Sequence, residues 1–188
     1  LGPRINAAGR MDHAQRVVDL LMEKSDVRAS EMAREIEEMN HQRREVDEVT
    51  TAEALMKLEK TPEEPFCNIV YGTDWHRGVV GIVASRIIEH RYRPSVVLSE
   101  ENGVLIGSAR SVDGVDIHQA LETCEDLLIQ FGGHTMAAGL SLDLKHLEAF
   151  KERLNEAVKT QLDGMPPRPI IRCDREVHIS ELSLEALK

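Results

Sequence analysis

Residues 66–110 read FCNIVYGTDWHRGVVGIVASRIIEHRYRPSVVLSEENGVLIGSAR, and this stretch decides the fold. Phe66 to Tyr71 is a short apolar run of strand-forming residues. Val79 to His90 repeats Val80, Val83, Ala84, Ile87 and Ile88 at helical spacing. Ser95 to Leu98 and Val104 to Ser108 are two further strands. Strand, helix and strand in alternation predict an α/β domain. Working toward the C-terminus, the pattern predicts a helix over Asp116–Leu128 and a fourth strand over Ala138–Leu142. An amphipathic helix over Lys145–Leu162 follows, with Leu147, Phe150, Leu154 and Val158 on one side. The α/β domain therefore spans 66–163. Gly164-Met165-Pro166-Pro167-Arg168-Pro169 is a linker, and residues 170–188 start like a strand but are too short to fold alone.

Working the other way, Thr61-Pro62-Glu63-Glu64-Pro65 breaks a helix and marks a domain boundary. Before it, Ala29 to Lys60 contains no Gly or Pro. Met32, Ile36, Met39, Val46 and Val49 recur there at helical intervals, which predicts a rod of roughly 45 Å with one buried stripe. A dimeric coiled coil is disfavoured by Arg43 on the apolar seam. A shorter helix is expected over residues 13–22, with Val17, Val18, Leu21 and Met22 on one face.

Composition narrows the function. The 188 residues are 41% hydrophobic and 30% charged, as expected of a globular chain. No apolar run is long enough to span a membrane, and no signal peptide is visible. The absence of an initiator Met is expected of a piece of a longer protein. Three cysteines, far apart in sequence, predict neither a zinc site nor a disulfide framework and fit a reducing cytoplasm. Only six aromatic residues argue against a sheet that stacks bases on exposed rings. Net charge is −10, and the acid is concentrated in 20–66, with seven basic against thirteen acidic side chains. A broad electrostatic footprint for nucleic acid is excluded, but local basic sites are not.

Four clusters carry candidate chemistry. In Phe131-Gly132-Gly133-His134-Thr135-Met136-Ala137-Ala138-Gly139, two glycines permit close backbone approach to a ligand. Their N–H groups, and a helix beginning at His134, could receive an anion; a tight turn with a structural histidine reads equally well. Gly107-Ser108-Ala109-Arg110-Ser111 ends an apolar strand, where ligands commonly sit. Arg110 could hold a phosphate through paired hydrogen bonds, flanked by Ser108 and Ser111. The alternative is a solvated loop arginine. Arg4, Asn6 and Arg10 interleave with small residues, as beside a polyanion, or else in a helix-capping loop. Trp75-His76-Arg77-Gly78 precedes a helix in which Gly78 and Gly81 allow close approach; packing explains Trp75 as well as a ligand does. The histidines are scattered. Asp12-His13 and Asp116-x-His118 are the close Asp/His pairs, and both read as surface pairs or caps, so no metal site is assigned.

Together these segments resemble the RecJ family of single-strand-specific 5′→3′ DNA exonucleases, in the DHH phosphoesterase superfamily. The resemblance is carried by residues 3–10 (PRINAAGR), 74–86 (DWHRGVVGIVASR), Arg93-Pro94, 107–111 (GSARS) and 131–139 (FGGHTMAAG), in matching order and spacing. It implies a DHH-associated α/β domain over 66–163, a mixed β-sheet flanked by helices. A long connecting helix over 23–62 would precede it. Residues 1–22 would end a DHH domain, and 166–188 would start an oligonucleotide-binding fold. It implies single-stranded DNA as partner, in DNA repair and recombination, with helicase and single-strand-binding-protein partners for the whole enzyme. It leaves the oligomeric state unknown. By the same resemblance Ser108, Arg110, Ser111, Gly132, Gly133 and His134 bind phosphate, Arg4, Asn6 and Arg10 line the strand path or its 5′ end, and Trp75 and His76 are secondary candidates. The family's Asp-rich and Asp-His-His motifs, which hold two Mn²⁺ or Mg²⁺ ions, are absent from this sequence. The fragment is therefore expected to bind no metal and to be inert alone. The rival readings are a phosphodiesterase for short RNA or cyclic dinucleotides, and a non-enzymatic module whose acidic rod docks a protein.

Overall fold

The computed structural model describes residues 2–60, 66–171 and 173–179. Three helices come first: α1 (Gly2–Met11), α2 (Gln15–Met22) and α3 (Asp26–Lys60). The α/β part follows as β1 (Asn68–Thr73), α4 (Arg77–His90), β2 (Ser95–Glu101), β3 (Val104–Arg110), α5 (Ile117–Glu122), β4 (Leu128–His134), β5 (Ala137–Asp143) and α6 (Leu147–Gln161). The five strands form one mixed sheet in the order β1-β2-β3-β5-β4. β1 and β2 are parallel, so α4 must cross between them. The remaining neighbours are antiparallel.

Alternation along each strand sends side chains to two different helical layers. Ile69, Val96, Leu98, Leu105 and Leu142 face Ile117 and Leu121 of α5 and Phe150, Leu154 and Val158 of α6. Val70 and Val97 face Val79, Val83 and Ile87 of α4, and behind α4 lie Ala54 and Leu58 of α3. α4 lies over β2 and β3. Beyond β3 that face of the sheet is open: Gln130, Gly132 and Gly139 are exposed.

The rod is real but its buried stripe differs from the expected one. Ile36 is buried as anticipated, whereas Val49 is 59% exposed. Asn40, Asp47 and Thr50 take the inward positions, ahead of Ala54 and Leu58. The reason is charge pairing. Arg86 of α4 donates to Asp47 Oδ2 at 2.8 Å, and Arg43 Nη1 lies 3.7 Å from the same oxygen. Arg43 also donates to Asn40 Oδ1 at 3.0 Å. The seam arginine that disfavoured a coiled coil thus belongs to a polar seat for α4. At the other end Arg4 of α1 pairs with Glu37, and Ala7 and Ala8 are fully buried.

Further expectations are corrected. The cluster at 4–10 lies on a helix, so the alternative of a helix-capping loop does not hold there. The helix expected over 116–128 stops at Glu122, and a single 3₁₀ turn leads into β4. The 131–139 segment forms an antiparallel hairpin, so no helix begins at His134. β4 escapes a pattern search because a bulge between Leu128 and Gln130 breaks its alternation. The strand expected from Ile170 is not formed among the described residues, and Ile170 and Ile171 are exposed. The breaker at 61–65 and residues 172 and 180–188 lie outside the described residues.

Asp47 is a fully buried carboxylate, whereas Asp126 on the surface is well exposed beside Arg153. Removing one partner of a buried pair strands the other, so Asp47→Ala should cost about 3 kcal/mol, the low end of the range because Arg86 keeps water on one side. Asp126→Ala should cost under about 1 kcal/mol. Urea unfolding of the two variants checks this ordering.

Candidate functional site

The site is built by register. Residues directly opposed across antiparallel strands share a face. Arg110 of β3 opposes Ala137 of β5, which opposes His134 of β4. One row therefore carries Arg110 and His134 on the same face, two strand spacings or about 10 Å apart. The next row on that face is Ser108, Gly139 and Gly132, and the third is Ile106, Ser141 and Gln130. Ser108 also opposes Val97, which packs under α4, so this is the α4 face.

Arg110 is half-buried and lacks an acid. Its Nη1 donates to Ser108 Oγ at 2.6 Å and to its neighbour's carbonyl, Ala109 O, at 2.8 Å. Its Nη2 lies over Gly81 of α4, where a Cβ would stand 2.6 Å away. Burial first, and then the charge of Arg10, hold the Arg110 guanidinium below the usual arginine range. It remains charged at neutral pH, since arginine is not deprotonated in proteins. Arg10 arrives from the end of α1 and donates to Gly78 O at 3.2 Å. Neither arginine has a carboxylate partner among the described residues. Arg10 and Arg110 thus lie close enough for their like charges to be felt, while Asp12, Asp74, Glu100 and Glu101 share the concavity that Arg10 lines.

The close approach of α1 to α4 makes this possible. A Cβ on Gly78 would lie 2.2 Å from Arg10 O. His76 caps α4, accepting at Nδ1 from Gly78 N at 3.0 Å, which leaves its other ring nitrogen exposed. The hairpin is fixed from outside the sheet. Thr135 Oγ1 donates to Asp116 Oδ2 at 3.0 Å, Ile117 N to Thr135 O at 3.0 Å and Ser111 N to Met136 O at 2.9 Å. Gly133 is required here, since a Cβ would meet Ala137 O at 2.3 Å and Ala138 Cα at 2.5 Å.

Of the residues singled out in the sequence, the structure brings together Arg10, Ser108 and Arg110, with His134 and Gly132 on the same face. Asn6 is exposed on α1, and Arg4 is occupied by Glu37. Ser111 is turned away: its hydroxyl donates to Val115 O at 2.8 Å, inside a buried turn. Trp75 is 5% exposed, and its indole N–H donates to Glu53 at 2.8 Å, which makes it a packing residue between α3 and β1. Sequence reasoning assigns Gln130, Gly139 and Ser141 no role of their own; the alternation of β5, in which Gly139 and Ser141 share a face, is the available signal. Among the described residues no group of three or more His, Cys, Asp or Glu side chains comes together to hold a metal.

The mixed α/β sheet thus turns arginine, serine and histidine out of neighbouring strands on one face. The chain belongs to the DHHA1 domain family, whose DHHA1 domain matches residues 64–160. It is 40% identical over 194 residues to the single-stranded-DNA-specific exonuclease RecJ of Salmonella typhimurium, covering 98% of this chain and 34% of the relative. To RecJ of Bacillus subtilis it is 36% identical over 189 residues, covering 100% of this chain and 24% of the relative. The fold is similar to a crystal structure of RecJ from Thermus thermophilus in complex with Mg²⁺, with a TM-score of 0.77 at 32% identity. That match covers 88% of this chain and 25% of the other. The chain thus spans about a quarter to a third of the length of the curated relatives it matches. No helix among the described residues is long and apolar enough to cross a membrane.

Two outcomes are expected. Inorganic phosphate at millimolar concentration should raise the melting temperature, because an anion bound only by the folded state stabilises it, and Arg110→Ala should abolish the rise. The Asp116 carboxyl is held below its ordinary value of 3.8, chiefly by the Gln119 N–H and also by the Thr135 hydroxyl. A lowered folded pKa gives stability that is present above the unfolded value and lost as pH falls through the folded one. Asp116→Ala should therefore be less stable than wild type at neutral pH, and the gap should close below pH 3.8 in acid-melting experiments.

Proposed function

We propose that this chain is the substrate-holding part of a metal-dependent 5′→3′ exonuclease for single-stranded DNA, acting in the cytoplasm in repair and recombination. The observation that carries this reading is Arg110, half-buried beside Ser108 and without a carboxylate partner among the described residues, at the end of β3. In this reading residues 1–22 belong to the end of a DHH domain, 23–62 to the connecting helix, 66–163 to the DHH-associated domain and 166–188 to the start of an oligonucleotide-binding fold. The catalytic Mn²⁺ or Mg²⁺ ions belong to residues outside this chain. The relatives described as single-stranded-DNA-specific exonucleases, aligned along nearly the whole chain, support the substrate class.

The chemistry assigned to this chain is binding and orientation. A phosphate of the strand sits against the Arg110 guanidinium. Arg10 approaches from the α1 side, and His134 from the β4 side donates to a phosphate oxygen. Fixed donors aimed at a phosphate hold it in one orientation and need no rearrangement when negative charge builds up on it. The charge of −10 supplies no long-range attraction, so capture depends on these short-range contacts.

Fluorescence anisotropy with a 5′-phosphorylated single-stranded oligonucleotide tests the reading. Binding should weaken with salt, with a slope reflecting one or two phosphate contacts, about −0.7 for each. Arg110→Ala should weaken it about ten-fold or more, as expected for loss of a charge-assisted contact. Binding unaffected by salt and by Arg110→Ala would remove the phosphate-holding role. The isolated chain should release no nucleotide from the oligonucleotide with Mn²⁺ present.

A further inference from the structure

The open face of the sheet continues past the anion site. A concavity of about 380 Å³ lies over β3, β5 and β4, lined by Ile106, Gln130, Gly132, Gly139 and Ser141. It begins one row from Arg110 and His134, at Gly132 and Gly139, and ends at Gln130 and Ser141. Successive rows on one face of a strand are about 7 Å apart. The order along the trough is thus a cationic row, then a bare peptide floor, then an amide and a hydroxyl.

Among the described residues nothing requires the floor to be bare. A Cβ on Gly132 would meet nothing within 4 Å, and one on Gly139 would meet only Gly107 O at 3.9 Å. Neither residue has the positive φ that favours glycine. Two other sheet glycines differ. Gly107 would drive a Cβ to 2.0 Å from Val97 O, and Gly133 is blocked by β5. Glycine in a strand interior costs stability, and where packing does not require it, it marks close approach by a ligand or another backbone. No helix covers this half of the face to supply that backbone among the described residues.

Resting on the reading of Arg110 as a phosphate site, we propose that the trough seats the sugar and base attached to that phosphate. Gln130 and Ser141 are then specificity-determining residues. The occupant is a nucleoside monophosphate unit of the strand. Its phosphate takes the cationic row, its sugar lies on the Gly132–Gly139 floor, and its base edge reaches Gln130 and Ser141. A primary amide and a hydroxyl both donate and accept, so they meet any base edge. The chemistry suits an enzyme that grips every nucleotide in turn and selects for the presence of a base, not for its identity. Ile106 supplies the apolar side of the slot.

The experiment compares thymidine 5′-monophosphate with 2-deoxyribose 5-phosphate, by isothermal titration to the whole 188-residue chain. Wild type should bind the nucleotide about ten-fold more tightly than the sugar phosphate, which is the value of one or two hydrogen bonds. Gly139→Val fills the floor in a strand position that accepts valine. It should leave the melting temperature unchanged or raised and bring nucleotide binding down to the level of the sugar phosphate. If Gly139→Val does not fold, Gly132→Ala serves, because its Cβ enters open space. Gln130→Ala should reduce the nucleotide preference without altering sugar-phosphate binding. A wild-type chain with no preference, or a preference that survives in the glycine variants and in Gln130→Ala, overturns the trough assignment and leaves the Arg110 site standing. Binding of both probes that is undetectable, or indifferent to Arg110→Ala, overturns the phosphate reading and the trough with it.

Discussion

The contact at Gly78 is the constraint on which the site depends. α1 can bring its last turn against α4 only because Gly78 has no side chain between the Arg10 carbonyl and the helix. Arg10 then returns a hydrogen bond to the Gly78 carbonyl, and its charge reaches Arg110 on the sheet. Gly81, one turn further along α4, makes the matching room for the Arg110 guanidinium. Two glycines three residues apart on one helix thus admit one arginine from each side. A methyl at Gly78 would push against the Arg10 backbone, whereas one at Gly81 would displace the Arg110 guanidinium.

α3 holds this arrangement at a distance. It carries α1 at Glu37 and α4 at Asp47. Arg43 and Asn40 lie between these two anchor points, so the polar stripe is continuous along the helix. An apolar stripe would hold the same helices by area alone, and neighbouring registers would differ little in energy. A buried carboxylate with fixed partners discriminates between registers more sharply, because a shifted register leaves a charge unpaired. The acidic segment that made the chain look unsuited to nucleic acid is partly this scaffold.

Most of the fold was legible in sequence. β1, β2, β3, α4 and α6 follow from apolar periodicity, because each buries one face against a layer of ordinary hydrophobic residues. α3 was legible as a helix, but its inward face was not. A pattern search looks for Val49 and cannot know that Asp47 finds Arg86 on an element nearly forty residues away. β4 was hidden for a related reason. Its glycines and its bulge remove the alternation, and only pairing with β5 shows it to be a strand. Among candidate site residues, Arg110 and Ser108 were legible because a polar cluster ends an apolar strand. Ser111, in the same cluster, is one residue out of parity, and its hydroxyl points into a buried turn. Arg10 was noticed for its charge, but its closeness to Arg110 depends on how α1 docks against α4. Net composition could not expose that juxtaposition.

The two adjacent glycines of β4 answer to different pressures. Gly133 lies so close to β5 that any side chain there would push the hairpin apart, so folding alone forbids its replacement. Gly132 faces open space and would gain strand stability from a larger residue. A library of variants selected only for solubility and heat resistance would therefore be free to fill position 132 while position 133 stayed empty. Adjacent positions of one strand thus tolerate opposite substitutions, because one faces a neighbouring strand and the other faces open space.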